Sequence, residues 1–285
     1  MWIFKLLGTL PIWILYPFGY LLSLLARRVY RRKEVLENLR MAFPEKSEKE
    51  LIKIRSQFYK NLMQIVMEVI KTTTWSEAEM RKRTKLVNPE IIEDVYKQGG
   101  SVIIFASHCA NWEWIAHAIT LYTSFKLDPI YKVQANKLLD GFVHYVRARF
   151  GGTPIPKENA VRNVLKGKDR QRAIGFVADQ RPFERGAKVW INFMGRETAF
   201  YPGNVALPYV TQFPCFYLKA TRIKPGYYEC EAIPLGNPPI PKKDASVLKN
   251  YAAEIEKQIQ EYPADWLWSH KRWKYQRTSD EELLT

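Results

Sequence analysis

The chain is poor in the residues that build disulfide bridges and metal sites. Its 285 residues include three cysteines and four histidines. Cys109, Cys215 and Cys230 form no CxxC motif and show no spacing to paired histidines of the kind that binds zinc. An odd number of unpatterned cysteines is typical of a reducing compartment, so we expect neither a disulfide framework nor a bound metal. A metal-dependent hydrolase is poorly supported, because the histidines are spread widely along the chain.

Acidic residues are scarce in comparison with basic ones. The chain has 44 Lys and Arg against 29 Asp and Glu, which gives a formal net charge of +15. This excess predicts an anionic partner, namely nucleic acid, an anionic lipid or an acidic carrier of the substrate. The abundant Trp and Tyr are typical of a membrane interface, although aromatic side chains buried in a core would account for the same composition.

Charge is absent from residues 6–26, LLGTLPIWILYPFGYLLSLLA, and the basic segment RRVYRRK follows at once. A segment of this length and composition is typical of a retained membrane anchor. Pro11 and Pro17 interrupt it, so a broken hairpin within one leaflet fits as well as a spanning helix. We therefore predict a membrane anchor with its basic flank over residues 1–33 and one domain over residues 34–285. The positive-inside rule puts the basic flank and this domain on the cytoplasmic side.

Internal repeats, low-complexity tracts and interdomain linkers are also missing from the sequence, which favours one large domain. Between residues 34 and 70 the pattern predicts two helices, the second with Ser47 and Glu50 as a capping box. From about residue 100, short apolar segments rich in β-branched residues alternate with helical patterns. This alternation predicts an α/β fold with a mostly parallel sheet flanked by helices. His108 and Asp179 each follow such a segment, at the sheet edge where ligands bind.

The segment SVIIFASHCANWEW carries an imidazole and a carboxylate five residues apart. Five helical residues rotate by about 140°, so His108 and Glu113 meet only if His108 lies before the helix and Glu113 reaches back from its first turn. Asn111 is suited to cap that helix. A carboxylate bonded to one imidazole nitrogen leaves the other free to accept a proton from a hydroxyl. Taken alone, the spacing fits a buried structural histidine equally well.

A covalent acyl-enzyme is disfavoured by the same segment. No G-x-S-x-G elbow precedes His108, and Cys109 beside it points to another side. The spacing therefore favours a general base without an enzyme nucleophile.

The HCANWEW segment resembles the H-x-x-x-x-D/E acyltransferase motif. Its H-x-x-N-W-E form is similar to the late (lauroyl/myristoyl) acyltransferases of bacterial lipid A biosynthesis, and the resemblance spans nearly the whole chain. Ala110 departs from it, because the family usually has Gly there. Besides the hydrophobic N-terminus, the other matching segments are VLENLRMAFPEKSEKEL, RARFGGTPIP, GFVADQRP, FMGRETAFYPG and PADWLWSHKRWK.

The resemblance implies a glycerolipid acyltransferase-like fold and transfer of an acyl chain from an acyl carrier protein thioester to a hydroxyl of a lipid A precursor, without a cofactor. It implies that His108 is the general base and that Glu113 orients it, at the cytoplasmic face of the inner membrane. Arg147 and Arg149 would suit a phosphorylated headgroup, and Asn111 would cap its helix or donate to the oxyanion. Further residues expected to contact substrate are Asp179, Gln180, Arg181 and Thr198.

Two alternatives stay open on the sequence. The acceptor of the same reaction could be a lysophospholipid, an aminolipid or a phosphoglycolipid. A non-enzymatic binder of membrane lipid or nucleic acid would use the segment DWLWSHKRWKYQR, in which Trp266, Trp268 and Trp273 alternate with basic residues. We expect this segment to form a surface patch facing anionic lipid or an acidic carrier protein, and no nucleic acid.

Overall fold

The computed structural model describes residues 1–167 and 170–284, and within them eleven α-helices and nine strands follow one another. The helices are α1 Trp2–Thr9, α2 Ile12–Val29, α3 Arg32–Ala42, α4 Glu48–Lys71, α5 Glu77–Arg83, α6 Glu90–Lys97, α7 Trp112–Tyr122, α8 Lys137–Ala148, α9 Ala160–Lys166, α10 Gly203–Thr211 and α11 Ser246–Glu261. The strands are β1 Thr84–Leu86, β2 Val102–Ala106, β3 Leu127–Tyr131, β4 Ile155–Pro156, β5 Ala173–Val177, β6 Val189–Phe193, β7 Arg196–Phe200, β8 Cys215–Lys224 and β9 Tyr227–Gly236.

Seven of these strands form one sheet in the order β1-β9-β8-β2-β5-β3-β4. Strands β8 and β9 pair antiparallel, and the other neighbours pair parallel. Strands β6 and β7 form a separate antiparallel hairpin. The predicted α/β fold with a mostly parallel sheet flanked by helices is therefore confirmed, with the antiparallel β8–β9 pair making the sheet mixed.

The central strand β2 is buried on both faces, which explains its continuous apolar sequence. Alternate side chains point to opposite faces of a strand. Ile103 and Phe105 accordingly belong to a core that includes α11, whereas Val102 and Ile104 belong to one that includes α7. Two helical layers thus fix the height and direction of the loop that follows β2.

Helix α4 begins with the predicted capping box. The Ser47 hydroxyl accepts from the Glu50 backbone N–H at 3.4 Å, and the Glu50 carboxylate accepts from the Ser47 N–H at 2.9 Å. The apolar stripe that follows packs inwards, since Leu51, Phe58 and Ile65 are buried. Long and central, α4 is the surface against which the first two helices lie.

Helices α1 and α2 meet at a bend of 113°. Lys71 at the end of α4 donates to the carbonyls of Gly8 and Leu10 at 2.5 and 2.9 Å, and so satisfies the last carbonyls of α1. Measured by length and hydropathy, no individual helix among the described residues could cross a membrane, whereas the bent pair α1 and α2 could do so jointly. The predicted anchor over residues 1–33 stays a prediction.

The α1–α2 hairpin has an inward face and an exposed apolar face. Gly19 packs against α4 so closely that a Cβ there would lie 2.9 Å from Met67 Cγ. The opposite face carries large apolar side chains that contact no other part of the described chain closely enough to be buried. Those most exposed are Trp2, Leu6, Trp13, Phe18, Leu21, Leu25 and Val29.

Candidate active site

The loop formed by residues 107–111 leaves the carboxyl end of β2 and leads into α7. Asn111 caps the helix, because its side-chain oxygen accepts from the Trp114 N–H at 3.1 Å. His108 therefore lies off the helix, and Glu113 lies in its first turn, as the five-residue spacing required. Ala110 has φ of +51°, a conformation that glycine adopts without strain. A glycine at this position, as the resemblance implies, would avoid the strain of this φ.

The carboxylate that holds His108 is Asp179. His108 Nδ1 lies 2.6 Å from Asp179 Oδ1, and the His108 backbone N–H donates to Oδ2 at 2.8 Å. The indole N–H of Trp266 donates to Oδ2 at 2.7 Å. The parallel pairing of Ala106 with Val177 brings the two strand ends together, two residues before each member of the pair. Three hydrogen bonds therefore fix a carboxylate against one side of the imidazole.

The expected hydrogen bond between His108 and Glu113 is not formed, and this corrects the geometry inferred from the spacing. Glu113 accepts from Arg147 at 2.9 Å from Nε and 2.6 Å from Nη2. The cause is packing: the first turn of α7 faces the last turn of α8, which carries Arg147. Burial raises the pKa of Glu113, but Arg147 outweighs this effect and holds that pKa below its usual value. A catalytic role for Glu113 stays a prediction.

The second imidazole nitrogen of His108 faces Gln180, whose Nε2 lies 3.1 Å from His108 Nε2. In the tautomer that carries its proton on Nδ1, directed at Asp179, His108 presents a lone pair at Nε2 that can accept from the Gln180 amide. Burial raises the pKa of Asp179, but attraction to the His108 imidazole when it is protonated, together with the hydrogen bonds from His108 and Trp266, holds that pKa below its usual value. Asp179 is therefore ionised at neutral pH, and Nε2 is ready to accept a proton.

Arg181 continues this loop but does not face His108. Its backbone N–H donates to His270 Nε2 at 3.0 Å, and its guanidinium donates to the Tyr275 hydroxyl. Burial lowers the pKa of His270 to about 4, so this histidine is neutral and accepts at neutral pH. His270 thus holds the loop that carries Gln180.

Two predicted substrate residues lie apart from His108. Arg149 donates to the Trp75 carbonyl at 3.1 Å, and Thr198 is buried and accepts from the Trp273 indole at 3.0 Å. In residues 1–167 and 170–284 neither forms a hydrogen bond with His108, Asp179 or Gln180. Their contact with substrate stays a prediction.

The predicted aromatic surface patch is wrong for Trp266 and Trp268, which are 2% and 0% exposed. Their rings pack edge-to-face with centroids 4.7 Å apart. Each indole N–H has an internal acceptor, Asp179 for Trp266 and the Pro263 carbonyl for Trp268. Trp266 and Trp268 are therefore buried next to the site, and Trp266 holds Asp179 in place. Their alternation with basic residues in the sequence did not indicate this burial.

Glu68 of α4 is a buried residue that the sequence analysis did not identify. It is 0% exposed, and its Oε2 accepts from Asn111 Nδ2 at 2.8 Å and from the Tyr228 hydroxyl at 2.6 Å. Its Oε1 accepts from the Tyr16 hydroxyl of α2 at 2.9 Å. A glutamate within the apolar stretch QIVMEVIK was the available signal, since a buried carboxylate needs partners. Glu68 thus holds the far end of the loop that carries His108.

A cavity lies between the sheet and helices α7 and α8, beside Trp112, whose ring centroid is 5.2 Å from that of His108. Glu113 and Arg147 form the polar part of its lining, and the rest is mainly apolar. The cavity holds about 40 Å³, so it could take the end of a hydrocarbon group near His108. The apolar lining includes Ile104, Ala116, Leu127, Phe176 and Leu218.

Neither a thiolate nor a metal centre is formed by the residues described. Burial raises the pKa of the Cys109 thiol well above its usual value. In the described ranges no three His, Cys, Asp or Glu side chains cluster in a way that would hold a metal ion. The groups that this edge does present are the His108 imidazole and the Asp179 carboxylate behind it.

Comparison with known proteins gives consistent matches. The family described as "Bacterial lipid A biosynthesis acyltransferase" matches residues 1–275. The chain is 24% identical over 269 residues to the lipid A biosynthesis acyltransferase of Haemophilus influenzae, covering 93% of this chain and 79% of that protein. It is 24% identical over 278 residues to the lipid A biosynthesis lauroyltransferase of Escherichia coli K12, covering 94% and 88%. The palmitoleoyltransferase of that organism is 22% identical over 288 residues, covering 97% and 92%.

Proposed function

Because the chain belongs to the bacterial lipid A biosynthesis acyltransferase family and is therefore an acyltransferase, we propose that it moves a fatty acyl chain from an acyl carrier protein thioester to a hydroxyl of a lipid A precursor. The observation that carries the proposal is the His108–Asp179 pair, whose imidazole contacts Trp112 in the lining of an apolar cavity. An O-acyl transfer needs a base for the hydroxyl and an apolar place for the chain.

Asp179 keeps the imidazole proton on Nδ1, so that Nε2 removes the proton of the acceptor hydroxyl. The hydroxyl oxygen attacks the thioester carbonyl and forms a C–O bond. When the tetrahedral intermediate collapses, the C–S bond breaks, and the departing sulfur takes the proton from the imidazolium. Asp179 stabilises the imidazolium between these two transfers. The thioester itself supplies the activated acyl group, so the reaction needs no cofactor.

Gln180 occupies the place of the acceptor hydroxyl in the absence of substrate, because its amide donates to His108 Nε2. The acceptor replaces this contact with its own O–H donor. The released amide is then free to donate to the thioester oxygen as negative charge develops there. Asn111 caps α7 and is bonded to Glu68, so its role is to position the loop.

The acyl chain enters the apolar cavity next to Trp112, which at about 40 Å³ must widen to take more than the first methylene groups. The Glu113–Arg147 ion pair closes one wall of this cavity with its charges mutually neutralised. A buried unpaired charge at this wall would oppose entry of a hydrocarbon chain. Glu113 therefore supports the site through Arg147.

The exposed apolar face of α1 and α2 supports a location at a membrane surface. Four arginines and a lysine at the end of this hairpin suit anionic lipid headgroups, and the positive-inside rule favours the cytoplasmic face of the inner membrane. A base at this surface has access to a lipid acceptor and to a soluble carrier protein.

Acyl transfer from labelled acyl carrier protein thioester, measured in washed membranes, tests the proposal. Wild-type membranes should label a lipid A precursor, and His108→Ala should lower the rate of transfer about 10³-fold. Equal transfer by both would exclude His108 as the base. Mass spectrometry of total lipids from a deletion strain identifies the acceptor, because the missing acyl chain separates a lipid A precursor from a lysophospholipid, an aminolipid or a phosphoglycolipid.

A further inference from the structure

Lys132 and Lys157 follow the last two strands of the sheet. Strands β3 and β4 are parallel, with Tyr131 opposite Pro156, so the next residue of each strand is a lysine at the same edge. This edge also carries His108 and Asp179, because β3 neighbours β5. With strands spaced by about 4.8 Å, β4 lies three strands, or roughly 14 Å, from β2, the strand that His108 follows. A substrate that extends along this edge from His108 towards β4 would therefore reach both ammonium groups.

Two aromatic rings hold these ammonium groups. Lys157 Nζ lies 3.2 Å from the ring centroid of Tyr201 and 4.6 Å from that of Phe183. Lys132 Nζ lies 5.5 Å from the Phe183 centroid. Phe183 packs edge-on against Tyr201 with centroids 5.9 Å apart and is 53% exposed. The two cations therefore share one aromatic platform that faces solvent.

Among the residues described, no carboxylate lies within ion-pair distance of these two lysines. In the described ranges neither Lys132 nor Lys157 forms an ion pair, whereas Lys274 lies 3.0 Å from Glu184 and Arg147 is bonded to Glu113. Burial lowers the pKa of Lys157 to about 8, an effect that Glu158 opposes and Lys132 reinforces. Two like charges held together beside a substrate edge are stabilised when an anion binds between them.

We propose that Lys132 and Lys157 form a binding site for a phosphoryl group carried by one of the two substrates. The proposal rests on the function proposed above and deepens it. It also reassigns the phosphate-binding role expected of Arg147 and Arg149, because Arg147 is engaged by Glu113 and Arg149 by the Trp75 carbonyl. The phosphoryl group belongs either to the headgroup of the acceptor or to the phosphopantetheine arm of the acyl carrier protein.

Steady-state kinetics with Lys157→Met test this site and identify the source. We expect KM to rise about tenfold or more for the substrate that carries the phosphoryl group, with kcat changed less than about threefold. Lys157→Arg should restore most of the affinity. Lys85→Met is the matched control, because Lys85 is exposed on β1 at the opposite edge of the sheet. A rise in acceptor KM assigns the headgroup, and a rise in donor KM assigns the phosphopantetheine.

An acceptor treated with phosphatase separates charge recognition from a general defect. If the headgroup is bound, wild type and Lys157→Met should have equal KM for the dephosphorylated acceptor. An unchanged KM for both substrates would overturn the proposal, and so would an acceptor KM that rises equally with and without the phosphate. Absence of transfer by the wild type would instead overturn the proposed function.

Chemical labelling tests the site without acyl transfer. Purified protein in detergent is treated with an amine-acetylating reagent, and modification of Lys157, Lys132 and Lys85 is followed by mass spectrometry. Inorganic phosphate or phosphopantetheine should slow modification of Lys157 and Lys132 several-fold relative to chloride at equal ionic strength, and leave Lys85 unaffected. If phosphate and phosphopantetheine changed the modification rates of all three lysines equally, the proposal would be contradicted.

Discussion

Two buried carboxylates hold the two ends of one short loop, and their partners differ. Asp179 contacts an imidazole whose other nitrogen faces the substrate side, together with an indole and a backbone N–H. Glu68 contacts two phenols and an amide, with the Arg222 guanidinium 3.8 Å away. Next to Asp179, the imidazole of His108 can exchange a proton with a bound molecule through Nε2. The side chains around Glu68 include no such proton carrier. We infer that Asp179 takes part in the reaction through His108, and that Glu68 holds the loop in place.

The largest effect is expected for Asp179→Asn. The amide cannot hold the Nδ1 proton or stabilise the imidazolium, so kcat should fall about 10³-fold. The apparent free energy of unfolding, measured by denaturant titration in detergent, should change far less than the activation barrier. Asp265→Asn is the control, because its carboxylate is also largely buried but is bonded to Asn61 and Arg222. A comparable loss of kcat in Asp265→Asn would show that the effect is general to buried carboxylates and not specific to Asp179.

Glu68→Gln should have the opposite effect to Asp179→Asn, with a large loss of stability and a small loss of activity. A neutral amide cannot accept all the hydrogen bonds of the buried carboxylate, so the free energy of unfolding should fall by about 3 kcal/mol. Activity of the folded fraction should fall less than tenfold. Tyr16→Phe removes one of these bonds and should cost about 1 kcal/mol. A Glu68→Gln variant with wild-type stability and a 10³-fold lower kcat would contradict this interpretation.

Acid pH should weaken the fold through His117, which lies one turn beyond Glu113. Burial lowers the pKa of His117 to about 4 from an ordinary 6.5. The unfolded chain therefore binds this proton more readily, and the stability that neutral His117 contributes is complete above pH 6.5 and lost as the pH falls towards 4. The loss should reach about 3 kcal/mol.

The variant His117→Phe should flatten the decline of the free energy of unfolding between pH 6.5 and 4. His144→Phe is the matched control, because it makes the same substitution at an exposed histidine. Equal slopes in the wild type and His117→Phe would show that other groups cause the acid sensitivity.

The Glu113–Arg147 pair allows a double-variant test of which carboxylate orients His108. Glu113→Gln leaves Arg147 without its partner, which should cost about 2 kcal/mol and lower activity. The double variant Glu113→Gln with Arg147→Gln removes both charges, so activity should recover at least tenfold over the single variant. If the double variant stays as inactive as the single one, Glu113 acts on His108 directly, as the five-residue spacing predicted.

Ala110→Gly is expected to have the smallest effect. Relief of the positive φ should offset the loss of a buried methyl, leaving stability within about 1 kcal/mol of the wild type and kcat unchanged. Ala110→Val tests the same backbone from the other side. A β-branched residue is strained at this φ, so the free energy of unfolding of Ala110→Val should fall by more than about 2 kcal/mol. Thermal denaturation of both variants checks this prediction.

The sheet and the position of His108 could be predicted because local signals dictate them. Apolar β-branched segments define the central strands, and a polar residue directly after a strand lies at the edge where ligands bind. Asp179 was expected near the site for that reason. Its pairing with His108 in place of Glu113 depends on the register of β2 with β5, which is set by contacts distant in sequence.

Side-chain environment was harder to predict than chain direction. The tryptophans of DWLWSHKRWK look amphipathic in sequence, yet Trp266 and Trp268 are buried because the acceptors for their indole N–H groups come from the folded site. Helix α11 was not predicted, although Val247, Tyr251 and Ile255 recur at helical spacing. Strands β1 and β4 are three and two residues long, too short to show a periodicity.

The Tyr16 hydroxyl bond to Glu68 has a practical meaning for anyone who isolates this enzyme. Tyr16 belongs to the α1–α2 hairpin, and Glu68 is one bond from Asn111 and the loop that carries His108. A detergent that coats the exposed face of the hairpin but loosens its packing on α4 would remove a donor from a buried carboxylate. The choice of detergent is therefore also a choice about how firmly the loop that carries His108 is held.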